Sequence, residues 1–232
     1  ETVSLLTDPW LADHAVDGLV LYPATGYLQL AWKTIAAYHH SECVRFPVEF
    51  RKININRATK LTNKDTVFKC TYFQDTGSFT IETNDQICTS GHIFPLNPAF
   101  RFIKPQRVKP NEKTSILLDS ESFYKELHVR GYHFGKTFQN ILSIRDDTNE
   151  SVVRWTDGNM ITFLDAMLQT SILHLDLRLL YVPTLIEEMQ LCPMLMTGLL
   201  KDTEGVETSA GITKVADIYH DRRTKMIHGP GV

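Results

Sequence analysis

The sequence predicts an α+β fold in two similar halves, each a long apolar helix wrapped by a curled antiparallel sheet. Two stretches with helical spacing, PATGYLQLAWKTIAAYHH and NMITFLDAMLQTSILH, are apolar on nearly every face, and a helix of that kind is buried on most sides. Each is accompanied by short, partly alternating runs of the type that pair as antiparallel strands, and a curled sheet is a natural wrapper for a buried helix. A proline-rich crossing divides the two sets, which places a first subdomain over 1–94, a linker over 95–120 and a second subdomain over 121–232.

The elements follow in order. Pro23 and Thr25 suit the start and cap of the first helix, and Leu28, Ala31, Trp32 and Ile35 then recur at helical spacing. VRFPVEFRKININ, TVFKCTYF, GSFTIET and DQICTSGHIF read as antiparallel strands separated by turn clusters such as TNKD and QDTG. Pro95, Pro98, Pro105 and Pro110 then crowd one stretch, too densely for a sheet interior. SESFYKELHVRG predicts a short helix ending at Gly131, FQNILSIR and SVVRW predict strands, and the second apolar helix follows. YVPTLIEEM, MLMTGLL and TSAGITKVADIYH complete the chain as further strands.

Composition narrows the function. With 43% hydrophobic residues over 232 positions the chain can bury a real core. Lys and Arg number 24 against 27 Asp and Glu, so no basic field exists to hold nucleic acid or an anionic membrane. The cysteines, Cys43, Cys70, Cys88 and Cys192, lie far apart and read as free cytosolic thiols. No segment approaches the roughly 18 uninterrupted apolar residues of a membrane span, and ETVSLLTDPW lacks the basic-then-apolar pattern of a signal segment. Residue 1 is Glu, not Met, which predicts a piece of something longer.

Two polar groups stand out against this apolar background. Asp165 and Gln169 are four apart, hence one helical turn apart on one face, amid Ile161, Leu164, Met167, Leu168 and Ile172. A carboxyl buried without a partner is driven toward its neutral form, one route to a proton donor, and an amide one turn away can orient it. Asp165 reads equally as a carboxyl on a thin solvated stripe of the helix. His14, at the start of HAVDGLVLYP, reads more readily as a turn residue when taken alone. In GYHFGKTFQ, Tyr132 and Gly135 make a tight aromatic turn where a phenol reaches a cavity and a glycine admits a ligand to the backbone; a plain helix-to-strand corner is the other reading. His39, His40 and Cys43 fall at a polar helix end without a further ligand, so no metal site is expected there.

Taken together these residues form a recognisable series. HAVDGLVLYP matches HxxxGxxxxP, GYHFGKTFQ is similar to GYxYGPxFQ, YVPT looks like an LPxx variant and DAMLQ matches DxxxQ/H. In this order and spacing they resemble the dehydratase domains of animal fatty acid synthases and polyketide synthases. PATGYLQLAWKTIA, ITFLDAMLQTSIL and the glutamine at 169 resemble the animal fatty acid synthase branch. The resemblance runs from Asp13 to about Met189.

The resemblance implies a double hotdog fold in which His14 faces Asp165 across a shared substrate tunnel. The implied reaction is loss of water from a (3R)-3-hydroxyacyl chain, a thioester on the phosphopantetheine arm of acyl carrier protein, giving the trans-2-enoyl thioester. His14 would act as base and Asp165 as acid, with Gln169 and Tyr132 orienting Asp165. Backbone N–H groups near Gly18 and a central helix N-terminus would face the enolate-like oxygen, Pro23 would shape its turn, and Gly135 would lie in the substrate-binding set. The reaction needs no metal or redox cofactor. The implied partners are the acyl carrier protein and other domains of a cytoplasmic synthase. Lys136, Phe134 and Val182 depart from the family motifs and bear on the tunnel mouth. A non-catalytic hotdog scaffold that binds acyl chains or carrier protein is the competing class, and an isomerase or thioesterase on the same fold is the third.

Overall fold

The computed structural model describes residues 1–97, 115–147, 150–156, 158–173, 175, 178–208 and 211–232. Helix α1 (Ala24–Tyr38) forms where the sequence places it, with Pro23 supplying φ −62° at the cap position. Tyr27, Leu28, Ala31, Trp32 and Ile35 are all at most 1% exposed, so the helix is a core element on several faces. Thr25 does not cap it. Its hydroxyl instead donates to the Ile161 carbonyl at 3.0 Å, linking the two central helices near their N-termini.

The first sheet covers α1 with strands in the order Leu185–Leu191, Val48–Ile55, Gln86–Pro95, Ser78–Thr83 and Lys69–Phe73. Its inward residues Val48, Phe50, Ile53, Phe79, Ile81 and Ile93 are sealed, none more than 1% exposed. Helix α2 (Ser120–Val129) is capped by Asp119, whose Oδ1 accepts the Ser122 N–H at 2.8 Å, and the chain leaves it at Gly131, φ +97°.

Helix α3 (Met160–Ile172) begins at Asn159, whose side-chain oxygen accepts the Thr162 N–H at 3.2 Å. Around it lies the second sheet, in the order Lys201–Thr208, Gly211–Asp221, Glu150–Trp155, Ile141–Arg145 and Leu117–Asp119, with Met226–His228 pairing on Gly211–Asp221. Two antiparallel sheets, each wrapped around one central helix, make the double hotdog. A small third sheet, Tyr132–Phe134, His14–Val16 and Leu19–Val20, joins the halves.

Three expectations change. MLMTGLL is not a strand but part of helix α4 (Pro193–Leu199), because Pro193 occupies the first helical turn, where its missing N–H costs nothing. The strand Leu185–Leu191 lies in the sequence's second half yet pairs with Val48–Ile55, so the first sheet draws on residues from both sides of the expected linker. The linker itself is shorter than 95–120. Pro95 still pairs with Val48, the strand Leu117–Asp119 leads directly into α2, and Pro98, Pro105 and Pro110 lie outside the described residues. Among the described residues no helix is long and apolar enough to cross a membrane.

Candidate active site

His14 opens the central strand of the small sheet, opposite Phe134 on one side and running into a hairpin on the other. The hairpin turn is Asp17-Gly18, with φ of +49° and +71°. Positive φ at both central residues is the type I′ geometry that Asp-Gly provides. Gly18 is therefore a turn residue. It is exposed, and nothing lies within 4 Å of the position a Cβ would take, so the structure leaves it outside the enclosure of His14. Pro23, buried, starts α1 and accepts the Gly26 N–H through its carbonyl at 2.9 Å.

The His14 ring is held firmly. Its Nδ1 lies 2.8 Å from the Leu21 carbonyl oxygen. A carbonyl only accepts, so Nδ1 carries the hydrogen and in the neutral ring Nε2 keeps its lone pair. The rings of Phe134 and Phe138 stand 5.4 and 4.9 Å from the imidazole, with Trp10 stacked on Phe138. Nε2 points at Asp165, 3.6 Å from Oδ1, and His14 and Asp165 are 8% and 6% exposed. The first and second halves thus each bring one member of the pair to the same buried place.

Asp165 is oriented by a chain of hydrogen bonds. Gln169, one turn along α3, donates from Nε2 to Asp165 Oδ2 at 2.8 Å and to the Phe138 carbonyl at 3.1 Å. Its Oε1 accepts from the Tyr124 hydroxyl at 2.9 Å, and that hydroxyl accepts the Ile141 N–H at 3.0 Å. The order of donors fixes the amide: oxygen toward Tyr124, nitrogen toward Asp165. Burial pushes the Tyr124 phenol well above its ordinary range, more than its backbone contacts lower it, so it stays a donor.

Tyr124 takes the place expected of Tyr132. The Tyr132 hydroxyl donates to the Tyr181 carbonyl at 2.5 Å and accepts the Tyr181 N–H at 2.7 Å, so it fastens the YVPT segment instead of touching Asp165. Gly135 also has a different task. A Cβ there would lie 2.1 Å from Asp13 Oδ1, so glycine makes room for the Asp13 carboxylate, not for a ligand. Lys136 and Val182 are exposed, whereas Phe134 is buried against His14. Composition and spacing single out neither Tyr124 nor Asp13. The available signal for Tyr124 was a phenol on the apolar face of α2 beside Phe123 and Leu127, where a buried hydroxyl needs a partner.

Residues 1–84 match a family described as polyketide synthase dehydratase domain, and residues 104–217 match one described as polyketide synthase dehydratase N-terminal domain. The chain belongs to the polyketide synthase dehydratase domains. Similar curated proteins are the highly reducing polyketide synthase verA of Penicillium polonicum, 24% identical over 79% of this chain, and the reducing polyketide synthase grgA of a Penicillium species, 27% identical over 56%. The matched stretches take up only 8% and 6% of those proteins' lengths.

Among solved structures, the dehydratase domain from the CurF module of curacin polyketide synthase covers all of this chain and 87% of its own, with a TM-score of 0.67 at 16% identity. A CurJ dehydratase described as an inactive mutant, with histidine replaced by phenylalanine, is similar at TM-score 0.64 and 16% identity, covering 99% of this chain and 82% of its own. At such identity these likenesses carry the fold. The helix sequences and Gln169 suggested the fatty acid synthase branch, whereas these family models and relatives are all of polyketide synthases.

Proposed function

We propose that this polyketide synthase dehydratase domain removes water from (3R)-3-hydroxyacyl thioesters presented on the phosphopantetheine arm of an acyl carrier protein, within a cytoplasmic multidomain synthase. The observation that carries this reading is the 3.6 Å approach of His14 Nε2 to Asp165 Oδ1 in a buried, ring-lined place. His14 Nε2 takes the proton α to the thioester. The electron pair forms the C2–C3 double bond as the C3–O bond breaks, and the Asp165 carboxylic acid protonates the leaving hydroxyl to give water. The proton on His14 then returns across the short gap to Asp165, restoring both groups. Gln169 and Tyr124 hold the carboxyl's orientation through the step. That the named relatives are polyketide synthases supports a polyketide intermediate over a fatty acid synthase substrate as the acyl chain.

The test is an enoyl-forming assay with a soluble 3-hydroxyacyl thioester of N-acetylcysteamine. General acid or base groups each contribute roughly 10²- to 10⁴-fold, so His14→Ala and Asp165→Asn should each lower kcat by that order while remaining folded. Equal turnover of parent and variants would refute the pair's role. A parent that releases free acid would be a thioesterase, and one that binds the thioester without turnover would be a scaffold.

A further inference from the structure

We infer that Asp13, the residue before the base, is a positioning residue for the His14–Asp165 pair, acting through the short 3-10 turn Lys136–Phe138. The inference rests on the dehydratase reading above. The Asp13 carboxylate accepts the Thr137 N–H at Oδ2, 2.9 Å away, and its main-chain carbonyl accepts the Gly135 N–H at 2.8 Å. Gly135 has φ −82°, a conformation open to any residue, so its lack of a side chain serves the approach of Asp13. The first of these contacts joins residues 124 positions apart, and the two together fasten the backbone immediately before His14 to the start of the turn.

The end of the same turn holds the other partner. The Phe138 carbonyl accepts from Gln169 Nε2 at 3.1 Å, and that nitrogen holds Asp165 Oδ2 at 2.8 Å. The Phe138 ring packs on the His14 imidazole, centroids 4.9 Å apart. One three-residue turn is thus the common reference for both groups: its amide end fixes the strand that carries the imidazole, and its carbonyl end fixes the carboxyl. Displacing a reacting group by about 1 Å costs on the order of 100-fold in rate. A carboxylate that only stabilised the turn would change the unfolding midpoint and leave kcat alone.

The experiment compares the parent chain with Asp13→Ala, Asp13→Asn, Gln169→Ala and the double variant Asp13→Ala/Gln169→Ala in the N-acetylcysteamine thioester assay. Unfolding is followed in parallel. Asp13→Ala should lower kcat about 10- to 100-fold with KM within about threefold, while Asp13→Asn, which keeps an oxygen for the Thr137 N–H, should stay within about threefold of the parent. The double variant should lose less than the product of the two single losses, because both act on one turn. A folded Asp13→Ala with kcat near the parent's, an Asn variant as impaired as the Ala variant, or multiplicative losses in the double variant would each overturn the inference. If Asp13→Ala does not fold, Gly135→Ala displaces the carboxylate without removing it and must show the same fall in kcat; unchanged kcat there overturns the inference. A parent without dehydration, by contrast, ends the functional reading and this inference with it.

Discussion

Tyr124 shows how a single residue gains its meaning from tertiary contacts. Its hydroxyl serves the Gln169 amide and the Ile141 N–H at once, so Tyr124→Phe removes one donor and strands one buried backbone donor. Leaving a buried polar group unsatisfied costs roughly 1–3 kcal/mol. The expected result is an unfolding free energy lower by that order in urea titration and a fall in kcat, since Gln169 is freed to turn away from Asp165. An unchanged kcat with a reduced midpoint would confine Tyr124 to stability. His14, Asp165 and Gln169 were legible in the sequence, since each stands in a short motif. Tyr124 and Asp13 were not. Asp13 matters only because Thr137 and Gly135 come to meet it, and no local spacing encodes a contact across so much chain. Tyr132 was misread for the same reason, a phenol in the right motif whose partner, Tyr181, lies in another segment.

The two central helices were the most readable elements, because residues such as Trp32, Ile35, Phe163 and Leu164 impose helical spacing on a buried cylinder. Their mutual placement was not readable. It depends in part on Thr25, fully buried, whose hydroxyl donates to the Ile161 carbonyl. Thr25→Val keeps the shape and loses that bond, and should destabilise the fold by about 1 kcal/mol in urea titration. Asn159→Ala removes the α3 cap and should cost a similar ~1 kcal/mol. The sites are on different helices and the bonds are separate, so equal midpoints for parent and both variants would show that neither contact holds the helix starts. Helix α4 was missed because seven residues are too few to reveal a period, and its only strong cue, Pro193, suits a helix start as well as a break.

At the scale of the molecule the halves interlock, because Leu185–Leu191 leaves the second half and completes the first sheet beside Val48–Ile55. Loss of the second half must therefore expose the first sheet's edge, and unfolding should be a single transition. The histidines of the second sheet give a way to drive it. His220 and His228 sit on neighbouring antiparallel strands, and burial lowers both below the ordinary histidine value, with Asp221 opposing the shift in each case and Arg222 adding to it at His220. In the unfolded chain both bind protons near the usual 6.5. The folded state resists the proton, so stability is complete above that pH and is lost as pH falls through about 6.5 toward the depressed folded values. The urea midpoint should thus fall between pH 7.5 and 5.5, and His228→Gln should flatten that slope. In a Trp10→Phe/Trp155→Phe background the one remaining tryptophan, Trp32, lies in the first half inside α1, without the Trp10 ring that stacks on Phe138 of the second half. If the halves are one cooperative unit, its fluorescence must follow circular dichroism through the same acid-weakened transition. Tryptophan emission that stays native while helix and strand signals decline would show that the strand Leu185–Leu191 does not couple the halves.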